Sequence, residues 1–177
     1  MKTLSLAVFI SLFCFSSYSV AQELYNFEMK QTDGTSLPFS KFKGKTLLIV
    51  NIATRCGLTG QLDDIEALYK KYKEKGFEVV GIPSNDFASQ TPENDSDVAK
   101  FCRLKYGATF PITTKTIVTG DKKHALYKYL VKESTKNEIE WNFTKFLFDK
   151  NGKLIKRYPS MMGPMSREIR KTIERNL

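Results

Sequence analysis

The feature that most constrains the fold is the continuous apolar run Thr46–Ile52, followed by a helical repeat and then a second apolar run. A strand with no apolar/polar alternation is buried on both faces, as central strands of layered α/β sheets are. Between Thr59 and Lys75, apolar residues recur at Leu62, Ile65, Leu68, Tyr69 and Tyr72, the 3.6-residue period of a helix, and Gly76 stops it. Phe77–Ile82 is the next strand, which closes a βαβ unit.

The remaining elements follow from turns and caps. Tyr25–Met29 alternates as a strand, and Asp33-Gly34 turns it into a hairpin. Ser96–Tyr106 reads as a helix capped by Asp95 or Ser96, and His124–Lys132 as a shorter one. Phe143–Phe148 and Leu154–Tyr158 are strands joined by Asp149-Lys150-Asn151-Gly152, and Ser166–Arg175 is a closing helix. A βαβ unit followed by a ββα unit predicts an α/β, thioredoxin-like fold: a central mixed sheet flanked by helices, with an N-terminal β-hairpin.

Residues 1–21 read as a secretion signal. Lys2 supplies the basic start, Leu4–Phe15 the short apolar stretch, and Ser19-Val20-Ala21 the small residues before cleavage. The stretch is shorter than the roughly 20 apolar residues of a membrane span, which sets this reading above an uncleaved anchor. A lipoprotein processed at Cys14 is disfavoured because the preceding Phe13 is bulky. Cleavage leaves residues 22–177 as one domain, destined for the periplasm or for secretion, with a real hydrophobic core.

The formal net charge is +9. The lysines are interleaved with acids, as in Tyr69-Lys70-Lys71-Tyr72-Lys73-Glu74-Lys75, and no aromatic-and-arginine pattern of a nucleic-acid module accompanies them. No nucleic-acid partner is therefore expected.

Chemistry concentrates at Cys56. Once residues 1–21 are gone, Cys56 and Cys102 are the cysteines that remain. Cys56 falls where the buried strand turns into the helix, and a helix N-terminus favours the reactive thiolate. In a dithiol motif the fourth position would carry a second cysteine. Here it is Thr59, so no local disulfide forms. A lone thiol there suits attack on a small electrophile such as a peroxide, which turns it into a sulfenic acid. The one histidine, His124, has nothing that marks it as catalytic and reads as a surface residue, so a Cys–His dyad is not expected. The one tryptophan, Trp141, precedes Asn142 at a strand entrance. Either the pair points an indole N–H and an amide at the thiolate, or Trp141 is core and Asn142 a turn.

Three blocks settle that choice by resemblance. Asn51-Ile52-Ala53-Thr54-Arg55-Cys56-Gly57-Leu58-Thr59, Pro83-Ser84-Asn85-Asp86-Phe87-Ala88-Ser89-Gln90 and Trp141-Asn142-Phe143-Thr144-Lys145-Phe146-Leu147 resemble, in order, the three motifs of the glutathione peroxidase family. The similarity runs over nearly all of residues 22–177. It implies a catalytic tetrad of Cys56, Gln90, Trp141 and Asn142, in which the last three hydrogen-bond the thiolate and help deliver a proton. The nucleophile is cysteine, and Phe101-Cys102-Arg103-Leu104-Lys105-Tyr106-Gly107 resembles the block that carries the resolving cysteine of two-cysteine members. The resemblance thus implies a Cys56–Cys102 disulfide, formed after local unwinding of the Cys102 helix. A thioredoxin-like dithiol protein, or glutathione, would reduce it, with no bound cofactor and no metal.

By comparison with the family it resembles, the chain passes from Ile112 to Trp141 without the inserted helix and loop that build tetramers in larger members, and the resemblance thus implies a monomer with an open site. Such a site would admit lipid hydroperoxides, and the basic surface would assist at anionic membranes. Departures from the family pattern include Thr54 for Ser, Ser84 for Cys, Asp86 for Gln, and Ala88-Ser89 for a glycine-rich pair; the last bears on the placement of Gln90. The alternative function is a redox sensor or relay that passes oxidation to a partner protein through the same two cysteines.

Overall fold

The apolar run at Thr46–Ile52 forms strand β3, and every one of its residues is buried. In this computed structural model the described residues are 20–134 and 137–177. The proposed signal at residues 1–21 therefore lies almost wholly outside them. Strand β3 sits between β4 (Phe77–Pro83), its parallel partner, and β5 (Lys145–Phe148), its antiparallel one; β6 (Leu154–Tyr158) pairs antiparallel with β5. The sheet order is β4-β3-β5-β6, with a separate antiparallel hairpin of β1 (Glu28–Lys30) and β2 (Ser36–Pro38). This is the mixed, thioredoxin-like arrangement expected from the sequence.

The two faces of β3 build two cores. Leu48, Val50 and Ile52 pack with α1 (Gln61–Tyr72), α2 (Asp95–Tyr106) and α4 (Arg167–Glu174), and both Cys56 and Cys102 belong to this cluster. Leu47 and Ile49 pack against α3 (Ala125–Glu133) and the N-terminal segment. Leu62, Ile65 and Leu68 of α1 are fully buried, and each contributes on the order of 2 kcal/mol through the apolar surface it removes from water. Glu66 is the polar exception on that face. Its carboxylate accepts hydrogen bonds from Thr109 N at 2.8 Å and Thr109 Oγ1 at 2.7 Å, tying α1 to the segment after α2.

Several boundaries differ from expectation. Tyr25 lies in a 3-10 turn, Val20–Asn26, rather than in a strand. Leu24 and Tyr25 are both buried, and adjacent residues of a strand would point to opposite faces. Helix α1 begins at Gln61, two residues later than Thr59, because turns precede it. The cap of α2 is Asn94, whose side chain accepts from Asp97 N, rather than Asp95 or Ser96. Asp95 instead accepts from Lys115 N at 2.7 Å. His124 is half-buried and caps α3, accepting from Leu126 N through Nδ1 at 3.2 Å. Phe143 has φ 63 and precedes β5 rather than joining it. The expected turns at Asp33-Gly34 and Asp149–Gly152 are present, with Gly34 at φ 86 and Gly152 at φ 79.

Lys145 is fully buried on β5. Its Nζ donates to Ser160 O at 3.2 Å and Met162 O at 2.7 Å, which docks the loop after β6 beside α1. Burial pushes its ammonium down to about 7, although Asp64 opposes the shift. A neutral amine still donates both bonds, so the fold favours the uncharged form, whereas the unfolded chain holds the proton up to the ordinary 10.5. The folded state thus binds fewer protons than the unfolded state above about pH 7, and stability should rise with pH from there. Denaturant unfolding should show such a rise between about pH 7 and pH 8.5 in the wild type and a flatter profile in Lys145→Met. Equal slopes would show that Lys145 is not the group responsible.

Candidate active site

Cys56 opens a series of tight turns between β3 and α1. Thr59 N donates to Cys56 O at 3.0 Å, and Gln61 N and Leu62 N make the next two i to i−3 bonds. The Thr59 hydroxyl holds the loop from inside: it accepts from Cys56 N at 3.0 Å and lies within hydrogen-bond reach of Ala53 O and Cys56 O. The position that carries a second cysteine in a dithiol motif is thus a structural brace here. Leu58 N donates to Cys56 Sγ at 3.4 Å, so a backbone dipole faces the sulfur as it would face a thiolate. The helix-terminus setting expected from sequence is therefore a turn that leads into the helix.

Gln90 comes from the loop after β4. Its carbonyl oxygen accepts from Arg55 N at 2.9 Å and lies 3.2 Å from Thr54 Oγ1, which places the residue against the two positions preceding Cys56. Its side-chain Oε1 accepts from Asn142 Nδ2 at 2.9 Å. Two residues 52 positions apart in sequence are therefore in direct contact. Asn142 is fully buried, and its Oδ1 has no hydrogen-bond partner among the described residues. Trp141 is 39 % exposed and packs on Phe87, with ring centroids 5.6 Å apart. The site therefore opens at the surface. Among the described residues, the hydrogen bond at Sγ comes from Leu58 N, while the carboxamides of Gln90 and Asn142 bond to each other.

Asn51 was not singled out from the sequence, yet it holds this arrangement. Its Nδ2 donates to Trp141 O at 3.2 Å and its Oδ1 accepts from Thr144 N at 2.9 Å. Its backbone O accepts from Phe143 N at 2.7 Å. Phe143, in left-handed backbone, is thereby pinned between them, and its ring is buried in the core. The available signal was an asparagine inside an apolar strand, since a buried amide must find partners.

Cys102 is buried one turn before the end of α2. Its carbonyl accepts from Gly107 N and Ala108 N, which close the helix, and Gly107 has φ 61. Burial pushes its thiol up to about 12, against a small opposing effect of Arg103. Both Cys56 and Cys102 are free thiols.

A family model described as glutathione peroxidase matches residues 24–131, a stretch that holds Cys56, Gln90 and Cys102. The chain belongs to the glutathione peroxidase family. Glutathione peroxidase-like peroxiredoxin HYR1 of Saccharomyces cerevisiae is 44 % identical over 156 residues, covering 86 % of this chain and 94 % of the yeast protein. Hydroperoxy fatty acid reductase gpx1 of Synechocystis is 40 % identical over 150 residues, covering 80 % of this chain and 89 % of that one. Among solved structures, Trgpx in apo form aligns with a TM-score of 0.70 and 32 % identity, covering 86 % of this chain and 94 % of that chain. A thioredoxin-family thiol:disulfide interchange protein of Chlorobium tepidum shares the fold, with a TM-score of 0.64 at 20 % identity. This chain is a cysteine-type member of the glutathione peroxidase family, a peroxidase and thus an oxidoreductase.

If Asn51 holds the Trp141–Thr144 segment, Asn51→Ala should lower stability by about 1–3 kcal/mol, because Thr144 N loses its buried partner and Trp141 O keeps only the Thr144 hydroxyl. The emission of Trp141 should shift to the red in the folded variant as its ring loosens. Wild-type stability together with unchanged emission would rule the role out.

Proposed function

We propose that this peroxidase is an exported, two-cysteine enzyme acting on hydrogen peroxide and on organic and lipid hydroperoxides, with residues 22–177 as its single domain. The observation that carries the reading is the Gln90–Asn142 hydrogen bond of 2.9 Å, set beside the Cys56 loop by Arg55 N–Gln90 O. That two carboxamides 52 positions apart in sequence meet beside the loop of a cysteine supports their joint use in its chemistry.

The Cys56 thiolate attacks the terminal oxygen of the hydroperoxide. The S–O bond forms as the O–O bond breaks, which yields sulfenic acid and an alkoxide or hydroxide that takes up a proton and leaves as alcohol or water. The N–H groups of Gln90, Trp141 and Asn142 are the donors for charge that moves from sulfur to the leaving oxygen. In the resting thiol the two carboxamides satisfy each other; catalytic hydrogen bonds commonly tighten only when substrate and charge are present. Asn142 Oδ1, buried and unpartnered, marks a polar site that is not saturated at rest.

The Cys102 thiol then attacks the sulfenic sulfur, forming the S–S bond and releasing water. In place, Cys102 is protonated and enclosed, so α2 must open at its Gly107 end first. A thioredoxin-like dithiol protein, or less effectively glutathione, returns both thiols. The relative named as a hydroperoxy fatty acid reductase supports the organic substrates. The partly exposed Trp141 supports an open site on a monomer, and the +9 charge supports action at anionic membranes.

Turnover of cumene hydroperoxide coupled to thioredoxin and its NADPH-dependent reductase tests this. Cys56→Ser should abolish turnover, and Trp141→Phe and Asn142→Ala should each lower it by roughly 10²-fold. Cys102→Ser should lose thioredoxin-driven turnover. Undiminished activity in Cys56→Ser would refute the mechanism. Single-turnover oxidation in wild type with no reduction by any dithiol protein would favour a sensor that hands oxidation to a specific client.

A further inference from the structure

Gln90 lies between a turn in left-handed backbone and a carboxylate bonded to the Cys56 loop. On its N-terminal side, Ala88 at φ 50 and Ser89 at φ 52 both hold left-handed backbone, where a Cβ crowds the chain. Glycine takes that conformation without strain, and neither residue is glycine. The turn therefore stores strain immediately before the carboxamide it presents.

On the C-terminal side stands Glu93. Its Oε2 accepts from Thr54 Oγ1 at 2.6 Å and its Oε1 from Arg55 Nε at 2.7 Å. Arg55 also donates its backbone N–H to Gln90 O at 2.9 Å, and the Thr54 hydroxyl, whose one proton goes to the carboxylate, lies 3.2 Å from the same oxygen. With the Arg55 N–Gln90 O bond, one carboxylate thus closes a ring of three hydrogen bonds between the Cys56 loop and the Gln90 loop. The ring is braced from behind by Lys115, whose Nζ donates to Thr91 O at 3.1 Å and to Glu93 O. Asn94, the cap of α2, follows directly. Burial pushes the Glu93 carboxyl up, but the hydrogen bonds from Thr54, its own backbone and Arg55 outweigh this and leave it below the usual carboxylate value. It accepts as an anion.

We infer that Glu93 is a positioning residue for peroxide reduction: its carboxylate clamps the Gln90 turn onto the Cys56 loop and resists the strain of Ala88-Ser89 that would carry the carboxamide away from the sulfur. The inference rests on the reading of Gln90 as a donor to Cys56. A purely structural Glu93 would add stability and leave the chemical step alone. A clamp acts on the rate of Cys56 oxidation, and its effect depends on the strain it opposes.

The test measures the second-order loss of free Cys56 thiol with hydrogen peroxide, by rapid quench and mass spectrometry. The full chain is compared with Glu93→Ala and Glu93→Gln, each also combined with Ala88→Gly and Ser89→Gly. Glu93→Ala should react roughly tenfold more slowly, since small misplacements of catalytic groups are costly. Glu93→Gln, which keeps one acceptor, should lose less. In the double-glycine background the loss should shrink to about twofold or less, because an unstrained turn no longer pulls. A folded Glu93→Ala that reacts at the wild-type rate overturns the clamp. So does a loss of equal size in both backgrounds. If Glu93→Ala does not fold, Glu93→Gln and its glycine partner decide by the same comparison. Failure of the wild type itself to oxidise Cys56 overturns the peroxidase mechanism, and this inference with it.

Discussion

The site depends on the attachment of Gln90 to the loop of Cys56. Arg55 N donates to Gln90 O, and Asn142 Nδ2 donates to Gln90 Oε1, so Gln90 is the residue through which the Cys56 loop meets the Trp141–Asn142 segment. The third side is closed by Asn51, which ties that segment back to β3 only five positions before Cys56. All of this hangs from the end of one strand. Because β3 is buried on both faces between β4 and β5, its end cannot drift without disrupting both cores. A rigid strand thus carries a loop of polar groups, the usual division of labour in an α/β site.

Much of this was legible in the sequence, and for identifiable reasons. The unbroken apolar run at Thr46–Ile52 and the repeat in α1 are burial patterns, and burial is what they encode. Asp33-Gly34 and Asp149–Gly152 are legible because a left-handed glycine and an Asx side chain specify a turn locally. Less legible were features whose cause is tertiary. Tyr25 leaves a strand for a 3-10 turn because its ring is buried and its hydroxyl reaches Lys150 O at 3.0 Å. Phe143 takes a positive φ because Asn51 and the core hold it there. Asn51 and Glu93 act through partners 90 and 38 or 39 positions away, which no local pattern reports. The departure at Ala88-Ser89 was visible, but its outcome was not: the backbone keeps a glycine-like conformation without glycine.

The two cysteines occupy regions of different character. Cys56 sits in the turns between β3 and α1, buried at 8 % exposure, with a backbone N–H on its sulfur. Cys102 lies inside the core, and its carbonyl anchors the C-terminal cap of α2. Opening that end breaks the Gly107 and Ala108 bonds and exposes part of the helix, while the N-terminal end remains capped by Asn94 next to Glu93. Helix α2 is thus closed by the Cys102 carbonyl at one end and by the Asn94 side chain at the other.

The most direct test of the central claim is peptide mass spectrometry of the folded protein after one equivalent of hydrogen peroxide, wild type against Cys102→Ser. The account predicts a Cys56–Cys102 disulfide in the wild type and sulfenic or further oxidised Cys56 in the variant. A free Cys56 thiol in both, with the protein still folded, would contradict it.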